Sequence, residues 1–270
     1  MGQASAKALH QAGFRVFGTS RRAVASTVEG ITMVTCDVPD DASVNAAVCK
    51  VHDATGRIDV LVNNAGLGLL AGAEESSADQ AQALFDVNLF GVIRTTNAVL
   101  PIMRQQKAGR IVDISSVLGL IPAPFSVLST KHAFEGYSES LDHEVRTFGI
   151  RICLLGPAYT RTSFEQNGVL PDRSLNAYVS ARMRSSALMH EVMKTADSPE
   201  FVAERVVEAA IITSPRRRYT CGRTAQQVSI LRRFVPERMF DKSLRKQMGF
   251  AGVTVAKRIS TERSPLPWGV

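Results

Sequence analysis

Residues 111–133, IVDISSVLGLIPAPFSVLSTKHA, decide how the rest of this sequence is read. The stretch opens on a short apolar run (Ile111, Val112, Ile114) of the kind that makes a buried strand. It reaches the pair Ser115–Ser116, crosses a Pro-containing loop and enters a helix whose first turn carries Lys131. A hydroxyl at a strand end, followed by a lysine on the next helix, can serve proton transfer to or from an alcohol or ketone oxygen.

Outward from this stretch, strands and helices alternate. Residues 3–13 read as a helix stopped by Gly13, which suits the position just past a helix end. Residues 14–19 and 31–36 read as strands, 40–55 as a helix closed by Gly56, and 58–62 as a strand buried on both faces. A long helical pattern covers 78–106 and the strand at 110–114 follows. Further on come a helix over about 126–147, a strand at 150–155, and a helix opened by Ser198-Pro199-Glu200, with an N-cap and a proline at its first position. Residues 218–221 suit a last strand, and two amphipathic helices flank Pro236. This order predicts an α/β fold, a doubly wound parallel sheet of Rossmann-like type, in a single domain over 1–248 with a C-terminal extension over 249–270.

Between 160 and 198 the pattern loosens around Gly168, Pro171 and Asp172, and Phe164, Leu170, Tyr178, Met183, Met189 and Met193 punctuate it. An insert after a late strand lies over the carboxyl edge of such a sheet, where ligands bind. It reads either as an apolar lid for a lipophilic substrate or as the buried stripe of two helices.

The beginning is unusual for such a sheet. A dinucleotide-binding domain opens on an apolar strand and a Gly-rich turn, whereas this sequence starts at Met1-Gly2, directly at the helix. The expectation is a domain missing its first strand, whose two neighbours keep unpaired ladders. A start further upstream is the favoured explanation and a truncated product the alternative. Gly66-Leu67-Gly68-Leu69-Leu70-Ala71 fits a G-x-G-x-x-A pattern, but an acidic, Ser-rich segment follows instead of a helix, so it reads as a loop.

Composition excludes several classes. The chain has 270 residues, 45% of them hydrophobic, which describes an ordinary globular domain. No apolar run approaches the ~18–20 residues of a membrane span, no signal-peptide core is visible, and Ala6 stands where a myristoylation motif wants Ser or Thr. The cytoplasm is the expected location. Cys36, Cys49, Cys153 and Cys221 are scattered, so reduced thiols are expected and no metal site. The net charge of +7 is concentrated beyond Arg216. Because those basic residues alternate with Leu, Ile, Phe and Met, a solvated helix face is preferred there over an anionic surface, and no nucleic-acid motif accompanies them.

Several motifs in order resemble the short-chain dehydrogenase/reductase family, nearest its retinol and hydroxysteroid dehydrogenase branch. Gly2 matches the last of the family's three N-terminal glycines. Asp37-Val38 is similar to the pair that holds the adenine ring, and Asn63-Asn64-Ala65-Gly66 to the N-N-A-G that steadies the sheet and lines the cofactor cleft. Asn88 resembles the helix asparagine that anchors a proton-relay water, Ser116 the serine that hydrogen-bonds the reacting oxygen, and Lys131 the lysine that binds the nicotinamide ribose. The run from Pro157 through Thr160 to Thr162 resembles the loop that contacts the nicotinamide amide, with Ala158 where Gly is usual. The resemblance implies an NAD(P)-dependent oxidoreductase of alcohols and ketones or aldehydes, with a lipophilic small-molecule substrate. It also implies a homo-oligomer paired through the helices at 78–106 and 126–147.

Two departures matter. Ser20, Arg21 and Arg22 stand where an NAD site places an acid, and arginine suits the 2′-phosphate of NADP(H). The family's active-site tyrosine is missing: counted back from Lys131 it falls on Val127, counted from Ser116 on Ser129, as after a two-residue deletion. Tyr137 lies beyond Lys131 and off its face. Without a phenol to donate the proton, a loss of ~10²–10⁴-fold in turnover is expected. The rival reading is a catalytically impaired or non-catalytic relic.

Overall fold

The computed structural model describes residues 1–22, 27–122, 129–162, 164 and 168–247. Val127 lies outside these. The strands are β1 (Phe17–Ser20), β2 (Thr27–Val28), β3 (Ile31–Thr35), β4 (Val60–Asn63), β5 (Gly109–Ile114), β6 (Ile150–Pro157) and β7 (Arg218–Cys221). The α-helices are α1 (Gly2–Gln11), α2 (Asp41–Thr55), α3 (Ala78–Phe85), α4 (Gly91–Gln106), α5 (Ser129–Val145), α6 (Asn176–Lys194), α7 (Pro199–Ile211), α8 (Arg223–Phe234) and α9 (Glu237–Gln247).

Local chemistry sets most of these boundaries. Asp40 caps α2 by accepting from the amides of Ala42 and Ser43, and Ser198 caps α7 by accepting from Phe201. Gly13, at φ +92°, turns the chain out of α1. The helical pattern at 78–106 is broken by one π-turn, Asp86–Phe90, around Asn88. A π-turn inside an α-helix often marks a functional position.

Strands β4 to β7 form a four-stranded parallel sheet in the order β4-β5-β6-β7. Alternation along β5 and β6 explains why helices cover both faces. Val112, Ile114, Cys153 and Leu155 pack with Leu9 of α1 and Val202, Val206 and Ala209 of α7. Ile111, Ile150 and Ile152 turn the other way, onto Val99 and Met103 of α4 and Leu141 and Val145 of α5. Burying each such side chain stabilises the fold by roughly 1.5–3 kcal/mol.

The sheet is not continuous. β1, β3 and β2 make a separate three-stranded sheet, and the β2–β3 pair is antiparallel. The α/β fold with a parallel sheet is as expected, and the short antiparallel β2 is an addition at its edge. β1 and β4 each pair on one side only, the unpaired ladders expected from the sequence. Phe14 and Val16 from one side of the break, and Val60 and Val62 from the other, pack on the same core. The segment at 160–198 holds one long helix, α6, without a fully buried residue. That argues against a buried stripe of two helices.

Candidate active site

The carboxyl ends of β4, β5 and β6 carry the polar groups. Asn63, at the end of β4, donates from Nδ2 to Asp113 of β5 at 2.8 Å and accepts from the Thr95 hydroxyl of α4 at 2.8 Å. Asp113 also accepts from Ser138 of α5 at 2.7 Å. Two strands and two helices are thereby fixed around one carboxylate that is 1% exposed. Burial raises the Asp113 pKa, while Ser138, Asn63 and the Lys131 charge act to lower it.

Lys131 lies in the first turn of α5, and its ammonium donates to the Ile114 carbonyl at 2.8 Å. Burial lowers its pKa to about 8, against the raising influence of Asp113 and Glu135. An ammonium so poised can hold or release a proton near neutral pH. Ser116, two residues beyond Ile114, is partly exposed, and its Oγ accepts from the Leu118 amide at 3.2 Å. Its hydroxyl proton has no acceptor among the described residues. Ser116 and Lys131 therefore both lie at the carboxyl end of β5, Lys131 through its bond to the Ile114 carbonyl.

Asn88 is 1% exposed. Its side chain accepts from the Leu67 amide at 2.8 Å and donates to the Leu67 carbonyl at 2.9 Å and to Thr130 at 3.3 Å. It ties the loop after β4 to the first turn of α5. The Tyr137 phenol bonds Thr96, which also accepts from Asn63 at 3.3 Å, and burial raises the phenol's pKa to about 12. Ser129 opens α5.

A cleft of about 250 Å³ opens beside these groups, lined by residues 64–68 with Met1, Thr162 and Phe164. It gathers Asn64, Ala65, Gly66 and Thr162 of the predicted set. Gly2 stands at the same place: a Cβ there would come within 2.8 Å of Asn64 Nδ2, so a larger residue would make the Asn64 side chain shift. Ser20, Arg21, Arg22, Asp37 and Val38 are on the other sheet, at the carboxyl ends of β1 and β3 and outside the cleft lining. There Ser20 pairs with Thr35, and the Cys36 amide bonds the Ser20 carbonyl at 2.9 Å. Arg21 and Arg22 are exposed. Pro157 ends β6, and Thr160 is held by a bridge to Asp197.

Whether these residues suit a dinucleotide can be tested on their unmet hydrogen bonds. Among the described residues, Asp37 Oδ1, Asn64 Oδ1 and Thr160 Oγ1 are buried polar atoms without a hydrogen-bond partner. Each costs about 1–3 kcal/mol if left so. They lie at the predicted adenine, cleft-floor and nicotinamide positions, and the N-terminus of α1, half-buried at Met1 and Gly2, offers amides to phosphate. The residues fit. When bound, such a cofactor supplies or accepts a hydride.

Sequence reasoning missed Asp113, Glu135 and Glu75. Asp113 was visible as a charge inside an apolar strand. Glu135 accepts from Ser115 and pairs with Arg218. Glu75 is 0% exposed, pairs with Arg182 of α6, and accepts from the amides of Gly72 at 2.8 Å and Leu175 at 2.9 Å. It fastens the segment over the sheet edge to the loop after β4. Among the described residues no His, Cys, Asp and Glu cluster could hold a metal ion.

This constellation is that of a nicotinamide-dependent oxidoreductase, and the chain belongs to the short-chain dehydrogenase family, whose model, described as "short chain dehydrogenase", matches residues 1–170. It is similar to a 3-ketodihydrosphingosine reductase of Bacteroides thetaiotaomicron, 30% identical over 249 residues, covering 90% of this chain and 92% of that protein. Among solved structures it is similar to a short-chain dehydrogenase of Streptomyces avermitilis, with a TM-score of 0.75, 28% identity and 92% of each chain covered. A metagenomic short-chain oxidoreductase in complex with NADP gives a TM-score of 0.63 at 25% identity, over 81% of this chain and 90% of that one.

Proposed function

We propose that this chain is an NADP-dependent oxidoreductase that interconverts a lipophilic alcohol and its ketone or aldehyde in the cytoplasm, at a rate limited by its missing phenol. The observation that carries the cofactor reading is the set of buried acceptors on Asp37, Asn64 and Thr160 that lack hydrogen-bond partners among the described residues. Exposed Arg21 and Arg22 at the end of β1 supply the charge that a 2′-phosphate would take. Ser116 donates a hydrogen bond to the substrate oxygen while keeping its proton, and Lys131 orients the ribose and carries the nearest mobile proton. Phe164 at the cleft, the exposed Leu170 and Met183 of the segment above it, and a relative named for reducing 3-ketodihydrosphingosine support a lipophilic substrate. Pairing of two copies through α4 and α5 completes the reading.

A second reading, a cofactor-binding protein without turnover, is favoured by the tyrosines. Of the four, Tyr137 faces Thr96, Tyr178 bonds Glu74, Tyr219 accepts from the Arg216 amide, and Tyr159 lies in the loop after β6. None takes the place four residues before Lys131. The deciding experiment measures NADPH oxidation with a panel of long-chain ketones for the native chain and for Val127→Tyr. A gain of about 10²–10⁴-fold in the variant supports an impaired enzyme. Equal, measurable rates would show that another group donates the proton. NADPH binding without turnover in either protein selects the second reading.

A further inference from the structure

The two C-terminal helices carry a surface that the oxidoreductase reading does not use. Some of their apolar residues face inward: Phe240 is 8% exposed, and Val228 and Leu244 are half-buried. Four others do not. Ile230 is 50% exposed, Leu231 41%, Phe234 72% and Met239 64%. On α8 the inward residue is Ala225, at 0% exposure. Phe234 follows it by about two and a half helical turns and so points to the opposite side. Ile230 and Leu231 share that outward arc, being one turn or less from Phe234.

The charge on the same two helices is one-sided. Residues 223–247 contain seven Arg and Lys against two acids, Glu237 and Asp241. Among the described residues none of the seven forms a salt bridge, although Arg146, Arg151, Arg205 and Arg218 elsewhere all do. Arg232 and Arg233 instead lie over the rings of Phe240 and Phe234, at 5.5 Å each. Exposed aliphatic and aromatic side chains interleaved with unpaired cations are the composition of a helix that lies in a headgroup layer.

We infer that α8 and α9 form a docking surface for an anionic phospholipid bilayer, with Phe234, Ile230, Leu231 and Met239 entering the headgroup boundary and the basic residues meeting lipid phosphates. Complementarity of charge chooses this occupant. A second copy would set seven like charges against their own kind, and interface cores are depleted in charge. A nucleic acid would satisfy the cations and leave Ile230, Leu231 and Met239 without a partner. No helix among the described residues is long and apolar enough to cross a membrane, so the association is peripheral. The inference does not depend on the catalytic reading: a protein without turnover would dock equally.

The test is co-sedimentation of the full chain with vesicles of phosphatidylcholine alone and of phosphatidylcholine mixed with phosphatidylserine. Binding to the mixed vesicles only, weakening as salt rises, is the expected result. Phe234→Glu should weaken it roughly tenfold, and the double variant Arg232→Gln, Arg233→Gln by a comparable factor. Both sites are exposed, and matching thermal melts would confirm that the variants fold. Failure to bind, equal binding to both vesicles, or binding untouched by Phe234→Glu overturns the inference. So does light scattering that shows a dimer split by Phe234→Glu, or salt-sensitive binding to duplex DNA in the absence of vesicle binding.

Discussion

The four-stranded sheet and the three-stranded sheet differ in how they are built. β5 and β6 are six and eight residues long, each has a paired strand on both sides, and their side chains fill the two largest clusters of the core. β1 and β2 are four and two residues long, and the cluster beneath β3 contains Val34, Cys36, Val44 and Ala47. The division also separates the proposed roles. Asn63, Asp113, Ser116, Lys131 and Pro157 stand on or beside the larger sheet, whereas Ser20, Arg21, Arg22, Asp37 and Val38 stand on the smaller one. In the proposed reading, the groups for proton transfer sit on the longer, doubly paired strands and the groups that select the nucleotide beside the shorter ones.

The contrast can be broken by making one substitution in both sheets. Val112→Ala on β5, at 0% exposure, should cost about 2–3 kcal/mol, from lost transfer energy plus the cavity left in a layer that cannot collapse. Val34→Ala on β3, at 3% exposure, should cost less than half as much, because the smaller sheet can relax around the gap. Urea unfolding measures both. Equal losses would mean that the two sheets unfold as one unit.

A second experiment sharpens the comparison through Lys131. Burial lowers its pKa from 10.5 to about 8. Between those values the unfolded chain keeps a proton that the folded chain has released, so this group's contribution to stability rises with pH across that window. Lys131→Met should remove the rise, read as the difference between the two stability–pH curves. Tyr137, raised from 10.0 to about 12, acts in the opposite sense above pH 10 but is present in both proteins and cancels. Parallel curves would place Lys131 in solvent and detach it from Ser116.

The smallest effect on stability should come from Arg21→Ala with Arg22→Ala. Both residues are exposed, so urea unfolding should shift by less than ~0.5 kcal/mol. The preference for NADPH over NADH in binding should nevertheless fall at least about tenfold, since an arginine–phosphate contact is charge-assisted. Unchanged preference would move the nucleotide-selecting charge elsewhere.

The kinds of element and their order were legible because each depends on neighbours in sequence. A short apolar run marked β5, Gly56 the end of α2, Ser198-Pro199 the start of α7, and Gly13 the end of α1. The placing of Ser116 at a strand end and Lys131 in the next helix's first turn was legible for the same reason, as was the absence of a tyrosine before Lys131. The hairpin of β2 was not, since a two-residue strand has no period to read. Nor was the π-turn at Asn88, which interrupts an otherwise regular helical pattern.

By itself, then, the sequence determined which segments are strands and helices, and which short motifs the proposed site draws on. Only the tertiary structure decided that Tyr137 bonds Thr96 and that Phe234 points outward. It alone joined Asn63, Asp113 and Ser138, which are separated by 50 and 25 residues along the chain. Periodicity and capping are set within a few residues of backbone. Burial, pairing and the pKa of an enclosed lysine are set by groups that folding brings together from far apart.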